Sequence, residues 1–422
     1  MPVSSSLAVY LGDAYVGTLY QDTPLAFAYD AHWLRHPQAR ALAAGIPLQA
    51  GKIAGDHVYA FFENLLPEGE QRQTISRQHQ VSAVFELLAL VGGDTAGAVR
   101  LLPPAEKPRP PLYRRSSWKQ LHGQIDVGLR ARSENAYMAT RQQQRIAISG
   151  AQYKILLSID QDGTPLLPLG SSPSSHIIKP DIVRAGCNIF ASAMNETVVM
   201  RAALHCGLPT AEVQYVPALH ACAVTRFDRQ TDRYGRWVRL AQADFCQLTA
   251  KPSGIKYEAD GGPGFVDCFH LLAKHSSMPA VDQKNLLKWL FFNLYTGNND
   301  GHAKNLAMLA GANGLRLAPF FDLMCTRLYA GLARRFAFRI GGVDEPGVMR
   351  AAQFEQLARE LGVSLHYLKD IADELANILP SSIQQACLEL NHGLTAKEQT
   401  LIQRLRQKTT SLTKQLHAKI MR

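Results

Sequence analysis

The amino-acid sequence predicts an α+β fold, in which a small N-terminal α+β region precedes a strand-rich segment and a mainly helical segment. The chain has 422 residues, of which 46% are hydrophobic and 19% charged, and this length can build two or three packed domains. A proline-rich stretch at 103–115 interrupts the apolar pattern. From Gly235 onward the pattern changes from short apolar runs bounded by turns to a helical period.

The N-terminal region is predicted at residues 1–105 and combines a hairpin with helices. The stretch LAVYLGDAYVGTLY alternates aromatic and β-branched residues around a Gly-Asp turn, which predicts two paired strands. Helical spacing follows around Phe61 to Leu66 and Val81 to Val91. The sequence PPAEKPRPPLYRR is too rich in proline and basic residues to build a packed element, so we predict an extended linker at 106–115.

Residues 116–227 are predicted to form a lobe of short strands around one helix. A helical stretch from Ser116 to Glu134 opens it, and another from Met194 to His205 stops at Gly207. The order of the later elements is a strand, a strand with a lysine, a helix and two strands, which is typical of the N-terminal lobe of a protein kinase. The predicted strands lie in ISGAQYKILLSID, HIIKP and AEVQYVPALHACAVTRF.

The remaining residues, 228–422, are predicted to form a mainly helical lobe. With the strand-rich lobe before it, this segment completes a two-lobed, protein-kinase-like fold. Apolar residues recur with the helical period at 281–296, 351–361, 363–378 and 396–420.

Composition narrows the class of protein. The net charge of +10 suits a protein that meets nucleotide, nucleic acid or an acidic partner, but there is no helix-turn-helix or zinc-finger signature for direct reading of DNA. The seven cysteines include no C-x-x-C pair, so we expect buried small side chains rather than disulfides or a zinc site. Without a signal sequence or an apolar run of about 20 residues, we expect a cytoplasmic protein with no membrane contact.

The stretch NLYTGNNDGHAKNLAMLAGANGLRLAPFFDL carries oxygen ligands in the order that phosphoryl transfer needs. Asp300 and Asn305 are five residues apart, as are the Asp and Asn of the kinase catalytic loop, where the Asp orients the nucleophile and the Asn binds metal. Asp322 follows two short apolar runs whose Asn-Gly step favours a tight hairpin, which would return the chain to the metal site. We therefore predict that Asp300 is the catalytic base and that Asn305 and Asp322 are metal ligands.

Two further residues of this stretch, His302 and Lys304, lie between the predicted base and the first metal ligand. Either could donate a hydrogen bond to phosphate and neutralise developing charge. An alternative without a catalytic role is an ordinary turn, in which Asp300 caps a helix and His302 is solvated. The hairpin and Asp322 that follow favour the phosphoryl-transfer interpretation.

A kinase also needs a lysine that contacts phosphate and a helix carboxylate that orients it. Lys179 ends the apolar run HII, and Glu196 comes early in the next helix, so we predict that they form this ion pair. The chain has no G-x-G-x-x-G or Walker A sequence. Phosphate wrapping would fall to SGAQYK at 149–154, whose small residues allow close backbone approach and whose Lys154 adds charge.

With these residues assembled, the chain resembles the HipA family of bacterial serine/threonine kinases, the toxins of toxin-antitoxin pairs. The resemblance runs from end to end, and only its last motif is specific by itself. The motifs that carry it are FFENLLPEGEQR at 61–72, LVGGDTAGAVRLLP at 90–103, ISGAQYK at 148–154, HIIKP at 176–180, VTRFDR at 224–229, KYEADGGPG at 256–264 and TGNNDGHAKN at 296–305.

The resemblance implies ATP and Mg²⁺ as cofactors and a role for each matching residue. Asp300 would be the base, Asn305 and Asp322 would hold magnesium, and Glu196 would pair with Lys179. The backbone of Thr225 to Phe227 would form the adenine hinge. The residues implied to bind ATP are Ser149, Gly150, Ala151, Gln152, Tyr153, Lys154, Lys179, Thr225, Arg226, Phe227, His302, Lys304 and Phe321.

The resemblance also implies partners. Family targets are aminoacyl-tRNA synthetases, whose phosphorylation stalls translation and growth, and the usual partner is a HipB-like helix-turn-helix antitoxin through which the complex binds operator DNA. This sequence departs from the family at Ala147, where an autophosphorylated serine is common, which leaves Ser149 as the candidate. Tyr153 and Thr225 stand where acidic residues are frequent, so nucleotide affinity could be tuned differently.

Two alternatives stay open on the sequence alone. The motif D-G-H-A-K-N also resembles the D-R-H-x-x-N loop of phosphoinositide kinases, so the acceptor could be a lipid or a small molecule. The second alternative is a subunit with little or no catalytic activity that pairs with an antitoxin on DNA. The presence of Lys179, Asp300, Asn305 and Asp322 argues against it.

Overall fold

The computed structural model of the protein describes residues 5–123, 153–183 and 188–422. The chain divides into two compact units, Met1–Ile178 with Arg226–Gly254 and Lys179–Thr225 with Ile255–Arg422. Mixed helices and sheets confirm the predicted α+β class.

The strands, in chain order, are β1 (Ser6–Leu11), β2 (Ala14–Tyr20), β3 (Ala26–Tyr29), β4 (Lys52–Ala54), β5 (Val99–Leu102), β6 (Leu112–Arg115), β7 (Ile155–Ile159), β8 (Pro165–Leu169), β9 (His176–Pro180), β10 (Val213–Val216), β11 (Ala221–Thr225), β12 (Arg229–Thr231), β13 (Trp237–Arg239), β14 (Gln242–Asp244), β15 (Ala307–Gly311) and β16 (Gly314–Leu317). The α-helices are α1 (Ala31–Leu34), α2 (Asp56–Glu63), α3 (Gly69–His79), α4 (Val84–Val91), α5 (Ser192–His205), α6 (Phe245–Leu248), α7 (Phe265–His275), α8 (Pro279–Thr296), α9 (Ala351–Leu361), α10 (Leu365–Glu389) and α11 (Ala396–Met421).

The first unit opens with a five-stranded antiparallel sheet in the order β4-β3-β2-β1-β5. The predicted hairpin is confirmed, because β1 pairs with β2 across a turn that sets Leu11 opposite Ala14. Gly17 sits where a Cβ atom would lie 2.2 Å from the Ala28 carbonyl oxygen, so a side chain there would push β2 away from β3. The predicted helices are found as α2 and α4, and α2 ends at Glu63, three residues before the predicted end.

A second group of strands in the first unit corrects the predicted linker. Residues Leu112–Arg115 form β6, which pairs antiparallel with β8, while β7 pairs with β8 and with the start of β9. The prolines end at position 111, so the last four residues of the predicted linker keep the backbone N–H groups that an edge strand needs. The predicted domain boundaries stay a prediction.

A buried ion network ties two distant parts of the first unit together. The Asp94 carboxylate is fully buried and accepts hydrogen bonds from Arg229 at 2.8 Å and from Arg239 at 3.1 Å. Arg226 contacts Asp94 at 3.3 Å and Asp228 at 2.7 Å. Burial alone would raise the pKa of Asp94, but the three arginines lower it by more, so the carboxylate stays charged.

The segment that carries these arginines corrects another prediction. The helical period was predicted from Gly235 onward, yet β13 and β14 lie at 237–239 and 242–244. Strands of three residues are too short to show a period in the sequence. Arg229 and Arg239 are opposite each other in the β12–β13 pair, which sets both guanidinium groups near Asp94.

The second unit begins within β9 and is mainly helical. Helix α5 packs on β10 and β11, and α8 packs against α10 and α11. Helix α9 has the predicted bounds, but α10 continues to Glu389 instead of ending at 378, and Pro380 lies inside it. The Ser382 hydroxyl donates to the Ile378 carbonyl at 3.0 Å, and the buried stripe of Leu375, Leu379 and Ile383 continues through the proline, which offsets its missing N–H donor.

The cysteines that the structure describes have free thiols and are buried, as predicted; they are Cys206, Cys222, Cys246, Cys268, Cys325 and Cys387. Cys187 lies outside the described residues. Among the described helices, none combines the length and the apolar character that a membrane crossing requires.

We predict that Asp94→Asn destabilises the first unit by about 3–5 kcal/mol, because it leaves three buried arginines without their shared counter-charge. Thermal unfolding followed by circular dichroism measures the loss. The matched control is Asp232→Asn, which removes an exposed ion pair with Arg236 and should leave the melting temperature unchanged.

The same substitution has a pH signature. The pKa of Asp94 is lowered in the folded protein. Its contribution to the free energy of unfolding is therefore complete above the pKa of about 3.9 that Asp has in the unfolded chain, and it is lost as the pH falls toward the pKa in the folded protein. The stability gap between wild type and Asp94→Asn should therefore narrow below about pH 4. A gap that is constant down to pH 2 would contradict the assignment of a charged Asp94.

Candidate active site

The second unit brings together the predicted lysine, helix carboxylate and second metal ligand. Lys179 lies near the end of β9, and its Nζ atom donates to Glu196 Oε1 at 2.6 Å and to Asp322 Oδ1 at 2.7 Å. Glu196 lies in the second turn of α5 and is buried. The predicted ion pair is therefore formed, and the same amine also reaches the predicted metal ligand.

The charges around Lys179 hold it protonated. Burial alone would lower the pKa of the amine, but the carboxylates of Asp322 and Glu196 outweigh it and raise the pKa above the ordinary lysine value. Glu196 is 2% exposed, whereas the Asp322 side chain is 42% exposed. The ion triad thus has a closed end at Glu196 and an open end at Asp322, where a ligand can approach.

Asp322 is held in an uncommon backbone conformation. Its φ of 61° places it in the left-handed region, which Asp and Asn tolerate better than most side chains. The Asn305 amide donates from Nδ2 to Asp322 Oδ2 at 2.9 Å, so one carboxylate oxygen meets Lys179 and the other meets Asn305. Such backbone outliers concentrate at functional sites.

The β15–β16 hairpin produces this meeting of Asn305 and Asp322. Gly311 pairs with Gly314, as the predicted tight turn requires. After β16, the Phe320 N–H donates to the Pro209 carbonyl at 2.7 Å, which fixes the chain two residues before Asp322. The hairpin therefore returns the chain to the site, as predicted.

A network of side-chain amides shapes the loop that carries Asp300. Helix α8 ends at Gly297 with φ of 72°. Asn298 Nδ2 donates to Asn293 Oδ1 at 2.8 Å, and Asn299 Nδ2 donates to the Ala333 carbonyl at 3.1 Å. The Asn299 N–H donates to the Thr326 hydroxyl at 2.9 Å. Buried hydrogen bonds therefore hold the loop on both sides just before Asp300.

The turn after Asp300 is also built by side chains. The His302 N–H donates to Asn305 Oδ1 at 3.1 Å, and the Asn305 N–H donates to the His302 carbonyl at 2.9 Å. His302 and Lys304 are 5% and 7% exposed. The alternative in which His302 is solvated on an ordinary turn is therefore wrong.

Asp300 itself is exposed and bound by a residue that the sequence did not single out. The Tyr257 hydroxyl donates to Asp300 Oδ1 at 2.6 Å. The ring of Tyr257 packs edge-on against His302, with 5.2 Å between centroids and 82° between planes. Tyr257 lies in KYEADGGPG, which marked the family resemblance without a role, and no spacing in the sequence links it to Asp300.

A second residue that the sequence analysis missed is Asn195, next to Glu196. Its side chain accepts from the Cys325 N–H at 2.9 Å and donates to the Cys325 carbonyl and to the Tyr329 hydroxyl, each at 3.0 Å. This bond fastens α5 to the chain just after Asp322. Glu196 and Asp322 are thereby kept in register with Lys179.

The other predicted ATP contacts stay predictions. Ser149, Gly150, Ala151 and Gln152 lie outside the described residues, as does the Ser149 autophosphorylation site. Tyr153 and Lys154 precede β7 in the first unit. Phe321, like Phe227, is half-buried.

The predicted hinge residues already have partners in the fold. The Thr225 N–H donates to the Glu212 carbonyl at 2.9 Å in the second unit. The Arg226 N–H donates to the Ser175 carbonyl at 2.9 Å in the first unit, and the Arg226 guanidinium belongs to the buried ion network. The Arg226 side chain therefore serves the fold.

Asp322 and Asn305 are the two residues whose oxygen atoms could hold a magnesium ion. Carboxylate and amide oxygens are hard ligands of the kind that Mg²⁺ takes in small number, together with water and substrate phosphates. The partly exposed Asp322 carboxylate has lone pairs beyond the bonds from Lys179 and Asn305. Among the described residues, no group of three or more His, Cys, Asp or Glu side chains is placed to hold a metal ion.

A lysine paired to a helix glutamate, two side chains that could hold a metal ion and an exposed aspartate on a hydrogen-bonded loop are the parts expected of a protein-kinase phosphotransferase. Comparisons with known proteins agree with this class. A model of the HipA-like C-terminal domain matches residues 146–383, and a model of the HipA N-terminal domain matches residues 7–102. The chain therefore belongs to the HipA family of serine/threonine kinase toxins.

Two similar proteins and one solved structure illustrate the match. Y4mE of Sinorhizobium fredii, named as a candidate kinase, is 35% identical over 85% of this chain and 86% of its own length. The serine/threonine-protein kinase toxin HipA of Shewanella oneidensis is 26% identical over 91% of this chain and 90% of its own. A solved complex of Shewanella oneidensis HipA with HipB and operator DNA matches with a TM-score of 0.84, 24% identity and coverage of 98% of both chains, which shows the fold.

We predict that Tyr257→Phe lowers kcat for phosphoryl transfer about threefold to tenfold, because the Asp300 carboxylate loses a donor that fixes its orientation. The affinity for ATP should stay unchanged. Steady-state kinetics at varied ATP separate the two effects. Tyr234→Phe is the matched control, since that ring lies against Arg233 and Arg236, and an equal loss in both variants would contradict the role of Tyr257.

Proposed function

We propose that this chain transfers the γ-phosphate of ATP, with Mg²⁺, to a serine or threonine of an aminoacyl-tRNA synthetase and so stalls translation and growth. The observation that carries the proposal is the Lys179 amine between Glu196 and Asp322. An amine held by one buried and one open carboxylate is suited to a ligand that is itself anionic.

Lys179 and Glu196 act on the nucleotide. Glu196 holds the amine in place from the buried side, so Lys179 can exchange its bond with Asp322 for one with a nucleotide phosphate without losing all of its counter-charge. Lys304 and His302 lie on the same turn as Asn305 and are suited to donate to phosphate. The adenine contacts at Thr225 to Phe227 and the phosphate loop at 149–154 are part of the proposal.

Asn305 and Asp322 would hold the magnesium ion. When bound, Mg²⁺ neutralises charge on the β- and γ-phosphates. The turn at 302–305 and the hairpin bring the two side chains into contact. The Asn305 oxygen accepts from the His302 N–H and its amide nitrogen donates to Asp322, so metal binding would replace the bond between Asn305 and Asp322.

Asp300 acts on the acceptor. It is exposed on a loop whose preceding residues are held by buried hydrogen bonds, which keeps its carboxylate available to a second protein. Asp300 takes the proton of the acceptor hydroxyl, the hydroxyl oxygen forms a bond to the γ-phosphorus, and the bond to ADP breaks. Tyr257 would orient the carboxylate for this step.

The partners follow from relatives. Because Shewanella oneidensis HipA is solved with HipB and operator DNA, we propose a HipB-like helix-turn-helix antitoxin for this chain, with DNA bound through that complex. The family resemblance supports a synthetase as acceptor, and a cytoplasmic location stays a prediction.

We predict that Asp322→Asn strongly weakens binding of ATP with Mg²⁺ and leaves the fold intact, because it replaces a charged metal ligand with a neutral amide and keeps a residue that tolerates the left-handed backbone. Calorimetric titration with and without Mg²⁺ measures affinity, and circular dichroism checks the fold. Asp373→Asn, on the exposed side of α10, is the control. Unchanged affinity in Asp322→Asn would refute the metal assignment.

The synthetase is identified by incubating the protein with labelled ATP, Mg²⁺ and a panel of purified bacterial aminoacyl-tRNA synthetases. We predict that one synthetase becomes labelled on serine or threonine and loses tRNA charging. Lys179→Ala should label none of them. Labelling of proteins other than synthetases in the same cell lysate, with the panel unlabelled, would overturn the synthetase assignment and keep the kinase.

A further inference from the structure

The chain that follows Asp322 contains a run of arginines beside the Asp300 loop. Residues 323–340, which we call the post-Asp322 segment, include four arginines and no acidic residue. They are Arg327, Arg334, Arg335 and Arg339. In kinases of this type the acceptor must approach the catalytic aspartate, so charges beside that residue meet the acceptor first.

Hydrogen bonds fix two of these arginines next to the loop. The Arg327 N–H donates to the Gly297 carbonyl at 3.2 Å, and the neighbouring Thr326 hydroxyl bonds to the same carbonyl at 3.1 Å. The Ala333 carbonyl, one residue before Arg334, accepts from Asn299. Asn299 directly precedes Asp300, and consecutive Cα atoms are about 3.8 Å apart. The backbone atoms of both arginines therefore lie close to the loop that carries the catalytic carboxylate.

The two arginines start from neighbouring points of the Asp300 loop, because their segment is bonded to it at Gly297 and at Asn299, two residues apart. In agreement with this, burial lowers the pKa of Arg327, and the charge of Arg334 lowers it further. Burial likewise lowers the pKa of Lys419, and Arg350 and Arg327 add to the shift. Like charges that act on one another in this way favour a bound anion.

The neighbouring Arg335 has carboxylate partners, whereas Arg327 and Arg334 have none among the described residues. Arg335 contacts Asp344 at 3.6 Å and Glu345 at 3.7 Å. Within the parts of the chain that the structure describes, Arg327 and Arg334 form no ion pair with a carboxylate. Arg334 is exposed, and Arg327 is half-buried. The pair is therefore available to an anion from another molecule.

We propose that Arg327 and Arg334 form a specificity site that binds an acidic side chain of the acceptor protein, within a few residues of the serine or threonine that Asp300 deprotonates. This inference rests on the proposed kinase function and adds the chemistry of the acceptor to it. Two guanidinium groups suit a carboxylate because each offers paired N–H donors. A phosphorylated residue of the acceptor carries the same anionic chemistry.

The test uses synthetic serine-centred peptides in which each flanking position carries aspartate, asparagine, lysine or phosphoserine. Initial rates of phosphoryl transfer are measured with ATP and Mg²⁺. For the wild type we expect kcat/KM to be roughly tenfold higher with aspartate than with asparagine at one or two positions. The preference should fall as ionic strength rises. A higher rate with phosphoserine would assign the same site to a phosphorylated acceptor.

Two variants assign the preference to this site. In the double variant Arg327→Gln/Arg334→Gln, the aspartate and asparagine peptides should be used equally, through a higher KM for the aspartate peptide, while ATP affinity stays unchanged. Arg335→Gln, the paired neighbour, should keep the wild-type preference. Rescue of the preference by Arg327→Lys/Arg334→Lys would show that charge at these positions is what matters.

Several results would overturn the inference. Equal use of aspartate and asparagine peptides by the wild type would do so, as would a preference that survives in the double glutamine variant. If the wild type binds ATP but phosphorylates neither a peptide nor any synthetase of the panel, the protein-kinase function itself fails, and this inference fails with it. Measuring ATP affinity in parallel distinguishes that case from loss of the arginine site alone.

Discussion

The ion triad of Lys179, Glu196 and Asp322 is the constraint on which the rest of the site depends. Lys179 is separated from Asp322 by 143 residues and from Glu196 by 17. The triad therefore forms only if the end of β9, helix α5 and the chain after the β15–β16 hairpin lie together. A buried lysine with one partner would be costly, and two carboxylates make its charge stable. The open carboxylate of Asp322 is the one that a metal ion could reach, and its partner Lys179 is the cation that a nucleotide phosphate could contact.

The remaining polar groups around the triad are mostly amides and hydroxyls. Asn195 joins the helix to the chain after Asp322, and Asn293, Asn298 and Asn299 hold the loop before Asp300. Neutral groups can be buried once they are hydrogen-bonded, and they add no charge that would compete with phosphate. This arrangement leaves Asp300 as the exposed carboxylate on a rigid loop, with Tyr257 as its support.

Much of this site could be predicted from the sequence because several of its residues lie at short, characteristic intervals along the chain. The interval from Asp300 to Asn305 and the hairpin before Asp322 led to both proposed metal ligands. The lysine that ends a strand led to Lys179, whose ion pair with Glu196 is present in the structure. The contacts made by Tyr257 and Asn195 join residues 43 and 130 positions apart. No local pattern encodes such distances, so these residues were found only in the structure.

The errors in the fold prediction have the same physical origin. Proline content suggested a linker through residue 115, but β8 supplies a partner that turns Leu112–Arg115 into a strand. The helical period was predicted to end at residue 378, but the apolar stripe of α10 continues on both sides of Pro380. The short strands at 229–231 and 237–239 carry Arg229 and Arg239, which bind Asp94 more than 130 residues away. Tertiary contacts decided each of these cases.

The central claim is that Asp300 performs proton transfer at a site that binds nucleotide independently of it. Single-turnover transfer of labelled γ-phosphate to a serine acceptor, compared between wild type and Asp300→Asn at saturating ATP and Mg²⁺, tests this most directly. The structure predicts that transfer falls roughly 100-fold or more, while the dissociation constant for ATP changes by less than about threefold. Transfer at the wild-type rate in Asp300→Asn would contradict the account.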